Sequence, residues 1–193
     1  MRNIAIAATL IALIAVLVAA AQGPAADAKP SLDGMAVPTY TAEGDLIRPE
    51  GYRTWVFVGA SLGLSYSEGA DEREGPGAFT NVYIQPEAYR YFMETGEFPE
   101  GTMLPMEIYR PGSRESINQA GYFEKDFLGM EVAVKDSERY EESWAYLSFR
   151  DRSGGLRDSA SAFPKDRCYD CHAEHAATDN VFTQFYPVLQ RGE

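Results

Sequence analysis

The stretch Phe79-Thr80-Asn81-Val82-Tyr83-Ile84-Gln85-Pro86-Glu87 decides the fold class. In an extended chain Phe79, Asn81 and Tyr83 share one face while Thr80, Val82 and Ile84 share the other, a pattern of period two that reads as a strand. Pro86 then opens a short helix at a position where its missing N–H is spare. That helix runs to about Thr95 and stops at Gly96. Outward on both sides lie further strands. Residues 52–58 are rich in aromatic and β-branched side chains, and Gly59 and Gly63 interrupt them. Residues 102–109 form another strand, and Pro105 inside it points to a sheet edge. Residues 122–134 hold one or two strands around Gly129, and 144–149 hold one more. After Asp158 the pattern turns helical, and 181–189 gives a closing amphipathic turn or two. Strands that cluster, rather than alternate with long helices, predict an α+β fold: a mainly antiparallel sheet with a few helices.

Composition bounds what such a domain can do. The chain has 193 residues, 45% of them apolar, with 10 Phe, 12 Tyr and 2 Trp, which suits one globular domain with an aromatic core. Its 17 Lys and Arg against 29 Asp and Glu give a net charge of −12. A chain this acidic repels phosphate backbones, so no nucleic-acid partner is expected. Arg2 is followed by an uncharged apolar run over residues 4–21 that ends in Ala19-Ala20-Ala21. It reads as a signal peptide over residues 1–21, with a retained N-terminal anchor as the alternative, and either way the rest is exported to a periplasmic location. Residues 22–48, with scattered Pro and Gly and no period, read as a linker, and residues 49–193 as the domain. Gly59-Ala60-Ser61-Leu62-Gly63 lacks the spacing and following helix of a dinucleotide fingerprint.

The chain has only two Cys and two His, and all four lie between Cys168 and His175. Cys168-Tyr169-Asp170-Cys171-His172 is C-x-x-C-H, the attachment motif of c-type haem. Residues three apart on a helix face the same way, so both thiols can reach the two vinyl groups of one porphyrin. His172 then lies beneath the ring and offers a nitrogen to the iron. A redox C-x-x-C would want a βαβ setting, which is absent. Zinc would have four ligands, Cys168, Cys171, His172 and His175, cramped into eight residues. A disulfide between cysteines three apart closes too short a loop to stabilise much. One covalently attached haem c with its iron is therefore expected on a C-terminal helical attachment segment. His175, three residues from His172, stays on the same side of the ring and cannot be a second axial ligand. The sixth position is open, or taken by Met, Lys, Tyr or a small ligand.

Several ordered blocks now resemble the cytochrome P-460 family, including the beta-type cytochromes c′. They are Tyr52-Arg53-Thr54-Trp55-Val56 with Val58-Gly59, Asn81-Val82-Tyr83-Ile84 with Pro86-Glu87, and Thr95-Gly96-Glu97-Phe98 with Gly101-Thr102. Gly121-Tyr122-Phe123, Val134-Lys135-Asp136, Trp144-Ala145, Cys168 to His172, and Phe182 to Leu189 follow. The resemblance implies an antiparallel β-sheet with helices, a homodimer, and a five-coordinate c-haem with an open distal pocket. It also implies nitrogen chemistry: hydroxylamine oxidation in one branch and nitric oxide binding in the other. The lysine that the catalytic branch cross-links to porphyrin is matched by Met106, the distal arginine by Thr80, and a proton-accepting pocket glutamate by Glu131.

Three functional readings result. The first is an exported mono-haem c-type cytochrome whose open distal site binds a small nitrogen oxide such as nitric oxide, with Phe79 as an apolar cap over the iron. The second is a haem enzyme, an oxidoreductase that oxidises hydroxylamine or converts a nitrogen oxide with Glu131 as catalytic residue. The third is an electron-transfer cytochrome with Met106 as sixth ligand and an unidentified redox partner.

Overall fold

The computed structural model describes residues 29–190 except 67, 68, 70, 71 and 73. The expected signal segment lies outside the described residues, among which no helix is long and apolar enough to cross a membrane. Among the described residues seven strands and two α-helices follow in chain order: β1 Leu46–Ile47, β2 Val56–Leu62, β3 Phe79–Ile84, α1 Pro86–Thr95, β4 Met103–Gly112, β5 Phe123–Lys135, β6 Trp144–Ser148, β7 Ser159–Ala160 and α2 Tyr169–His175. Strands β2 to β6 form one antiparallel sheet in sequence order, and β1 pairs with β7. The fold is α+β and mostly β, as the strand clustering predicts.

Each face of the sheet carries its own core. Val82, Ile84, Leu104 and Tyr146 point to one face, where Ala88 and Phe92 of α1, Phe98, Trp144, Val181 and Leu189 cover them. Phe92 stacks on Phe98 with ring centroids 4.1 Å apart, and Phe98 meets Trp144 edge-on. Met103, Met130, Val132, Val134, Ala145 and Leu147 point to the other face, packed with Leu46, Tyr52 and Ala160. Glu107 is buried on that second face, 2% exposed. Its carboxylate accepts the Tyr52 hydroxyl at 2.7 Å, Arg53 Nε at 2.7 Å, and the hydroxyls of Tyr109 at 3.1 Å and Tyr83 at 3.3 Å.

Three expectations need correction, and one open choice, between one strand and two around Gly129, is resolved. Residues 29–48 are not a loose linker, because they pack on the domain through isolated anchors too far apart to show a period. Leu46 is fully buried, the Tyr40 hydroxyl donates to Asp136 at 2.7 Å, and Gln85 Nε2 donates to the Ala36 carbonyl at 3.0 Å. Strand β4, despite Pro105, is the middle strand. Its pairing with β3 ends at Val82–Met106, so Pro105 lies one residue past that ladder, where this side is locally an edge. Residues 123–135 form one strand, whose pairing shifts register beside Gly129. Gly129 has φ +149°, and a side chain there would collide with Arg150. Residues 52–54 make a 3-10 turn, and the strand runs on through Gly59, where a bulge absorbs the break.

Leu46→Ala tests whether the early segment belongs to the core. Removing a fully buried Leu leaves a cavity and is expected to lower stability by about 2–5 kcal/mol in chemical denaturation. A loss near zero would return residues 29–48 to the status of a linker.

Candidate functional site

Cys168 ends the 3-10 turn Lys165–Arg167 and caps the N-terminus of α2, whose first backbone bond here runs from His172 N to the Cys168 carbonyl at 3.1 Å. Both cysteines are free thiols and half-buried. The His172 ring is wedged between two aromatic rings, Tyr146 at 4.1 Å and Phe182 at 4.4 Å between centroids. Its Nδ1 lies 2.8 Å from the Asn180 carbonyl, which also accepts the Tyr146 hydroxyl at 2.8 Å. A carbonyl can only accept, so Nδ1 carries the proton and the Nε2 lone pair is free. Burial lowers the His172 pKa from its ordinary value, partly offset by the bond to Asn180, which keeps the ring neutral and able to ligate.

Cross-strand register builds the wall beside this group. Gly59, Val82, Met106, Glu131 and Ser148 align in one row across all five strands. Leu104, Ala133 and Tyr146 form the neighbouring row. Met106, Ala133, Cys168 and Tyr169 are each half-buried against the first core. The sheet therefore brings Met106 and Glu131 to the face that carries Cys168 and His172. Thr80 shares that face, its hydroxyl 2.6 Å from that of Ser61. Phe79 does not. Alternation sends it to the opposite face, between Leu62 and Tyr109 in register, on the side of the Glu107 cluster.

Burial raises the Glu131 pKa, and the cations Arg150 and Arg167 offset this in part. Burial also raises the Cys168 thiol, with the Glu131 charge adding to it. His175 is exposed, its Nε2 3.8 Å from a Glu174 carboxylate oxygen. Among the described residues no three His, Cys, Asp or Glu side chains gather as they would around a metal ion, so the four-ligand zinc reading has no geometry behind it. Four contributors are not announced by the sequence pattern: the Asn180 carbonyl, Tyr146, Phe182 and Arg150. Phe182 belongs to a resembling block, but nothing in the local sequence announces a backbone carbonyl as a partner.

Two thiols one turn apart, a neutral imidazole with Nε2 free, and a half-covered apolar wall fit a haem, which makes this a haem-binding cytochrome. Residues 49–183 match the Cytochrome P460 family, and the chain belongs to it. No curated protein matches the chain.

Glu131 gives a pH test. Its folded pKa lies above the ordinary 4.5, so the folded state holds the proton more tightly than the unfolded chain does. Stability then falls as pH rises through the window from 4.5 to the raised value, and the loss persists above it. Glu131→Gln is expected to melt higher than wild type at neutral pH and to lose that advantage below the ordinary carboxylate value. Thermal unfolding of both holoproteins across that range measures it; a variant that melts lower at neutral pH would show that the ionised carboxylate has a stabilising partner.

Proposed function

We propose that this protein is an exported mono-haem c-type cytochrome whose distal site stays open to small nitrogen oxides such as nitric oxide. The observation that carries the reading is the His172 imidazole, fixed through Nδ1 on Asn180, with Nε2 free and both thiols of its motif unpaired. Each thiol would add across one vinyl group, sulfur to one carbon and hydrogen to the other, so attachment would need no oxidant. When bound, the haem would supply a redox-active iron able to take a small ligand. Cys168 and Cys171 anchor, and His172 ligates through Nε2. The other histidine is exposed beside Glu174, which leaves no imidazole for the distal side.

Glu131 can hold or release a proton on the site face, because burial raises its affinity for one. The enzyme reading rests on that carboxylate. Against it, the position that resembles the cross-linking lysine is Met106, whose thioether cannot form an amine–porphyrin bond. Met106 does stand beside Glu131 on the site face, which favours electron transfer as the second reading. Export rests on the apolar run over residues 4–21, homodimerisation on the family, and the redox partner is a protein of unassigned chemistry.

Absorption spectra of the purified ferric and ferrous holoprotein, with and without nitric oxide, test the proposal. A high-spin ferrous spectrum that shifts on adding nitric oxide is expected. A low-spin spectrum indifferent to the ligand would mean a filled sixth position, and Met106→Ala should then open it. A strongly red-shifted ferrous Soret band would indicate a cross-linked macrocycle and restore the enzyme reading.

A further inference from the structure

The tight turn that presents the Asn180 carbonyl has its own support. Val181 N donates to the Thr178 carbonyl at 2.8 Å, closing a turn whose two central residues, Asp179 and Asn180, are both left-handed at φ +44° and +60°. The Asp179 carboxylate is held at both oxygens: Trp144 Nε1 donates to Oδ1 at 3.0 Å and Lys135 Nζ to Oδ2 at 2.8 Å. Lys135 is itself fixed, donating also to the Phe98 carbonyl at 2.8 Å. Trp144 is 2% exposed and locked against Phe98 in the first core. A continuous chain of contacts thus runs from the ends of β5 and β6 through Asp179 to Asn180 and His172.

We propose that Asp179 is a positioning residue for the axial histidine, acting through the Asn180 carbonyl with Trp144 and Lys135 as its supports. The inference rests on the reading that His172 ligates the iron. Asp179 does not touch the ring. It sets the place and direction of the acceptor that holds Nδ1–H, and the strength of that bond governs how strongly Nε2 donates. A well-aimed carbonyl draws the Nδ1 proton, makes the imidazole a stronger donor, and favours the ferric state. Loosening the turn weakens that pull without removing any group from the haem.

The test uses ferrous holoprotein, resonance Raman spectroscopy of the iron–histidine stretch, and a redox titration. Asp179→Ala is expected to keep the haem attached, to shift the iron–histidine stretch to lower frequency, and to raise the reduction potential. Asp179→Asn, which keeps an oxygen for Trp144 but loses the negative charge that meets Lys135, should give a smaller shift of the same sign, and it serves if the alanine variant does not fold. Asp126→Asn is the control for charge alone: it removes an exposed sheet carboxylate paired with Arg110, away from the turn. It should leave the stretching frequency in place. An unmoved frequency in both Asp179 variants would overturn the positioning role while leaving His172 as ligand. Absence of any iron–histidine stretch in wild-type protein would overturn the axial reading itself, and the inference with it.

Discussion

The pairing of β4 with β5 is the constraint on which the site depends. It runs from Met103–Val134 to Gly112–Phe123, the longest ladder in the fold, and sets Met106 opposite Glu131. Side chains alternate faces at every residue, so a slip of one position would exchange the two cores and send Glu131 to the wrong side. Bulges let such a long pair twist without losing that register. One of them lies at Gly129, where the missing side chain gives Arg150 room to lie over the sheet. Arg150 then reaches the field of Glu131, so one glycine serves both the curvature of the wall and its electrostatics.

Attachment geometry is secured by elements remote from the motif. Helix α2 has seven residues, too few to be stable alone, and none of them is fully buried. Its order comes from the His172 ring, clamped by Tyr146, Phe182 and the Asn180 carbonyl. The turn bearing that carbonyl holds two non-glycine residues in left-handed backbone, at a cost of about 1–3 kcal/mol each in general. Hydrogen bonds to charged groups contribute about 1.5–3 kcal/mol apiece, and Asp179 makes two of them. The two bonds offset a backbone cost of similar size, in a turn whose Asp and Asn already tolerate left-handed backbone better than other non-glycine residues.

Strands and the haem motif were legible in the sequence because each is written locally. The alternation over 79–84 and the Pro86 helix start need only neighbours to be read, and Cys168 to His172 needs only its spacing. The face of Phe79 was also legible, since alternation sets it apart from Thr80 and Val82, and that parity turns it away from the site face. What stayed hidden depends on contacts distant in sequence. Leu46 is buried by partners such as Ala160, and Pro105 is tolerated because β3 leaves the ladder one residue earlier. The Asn180 carbonyl is hidden in principle, because every residue has one and only the fold aims it.

Two neighbouring strand positions show how the sheet separates structure from chemistry. Glu107 and the partner of Met106, Glu131, lie on adjacent strands but face opposite ways. Glu107 is the more deeply buried, and Tyr52, Arg53, Tyr83 and Tyr109 meet its charge with hydrogen bonds. Burial first, then that carboxylate, pushes the Tyr83 hydroxyl up to about 12, so these donors keep their protons and the cluster stays fixed. A charge so fully met has nothing left to offer a ligand. Glu131 has the reverse setting: burial without a matching set of donors, and two arginines acting only through their charge. Burial raises the proton affinity of this carboxylate, so it can trade a proton with something placed beside it, and the face it occupies is the one that carries Cys168 and His172.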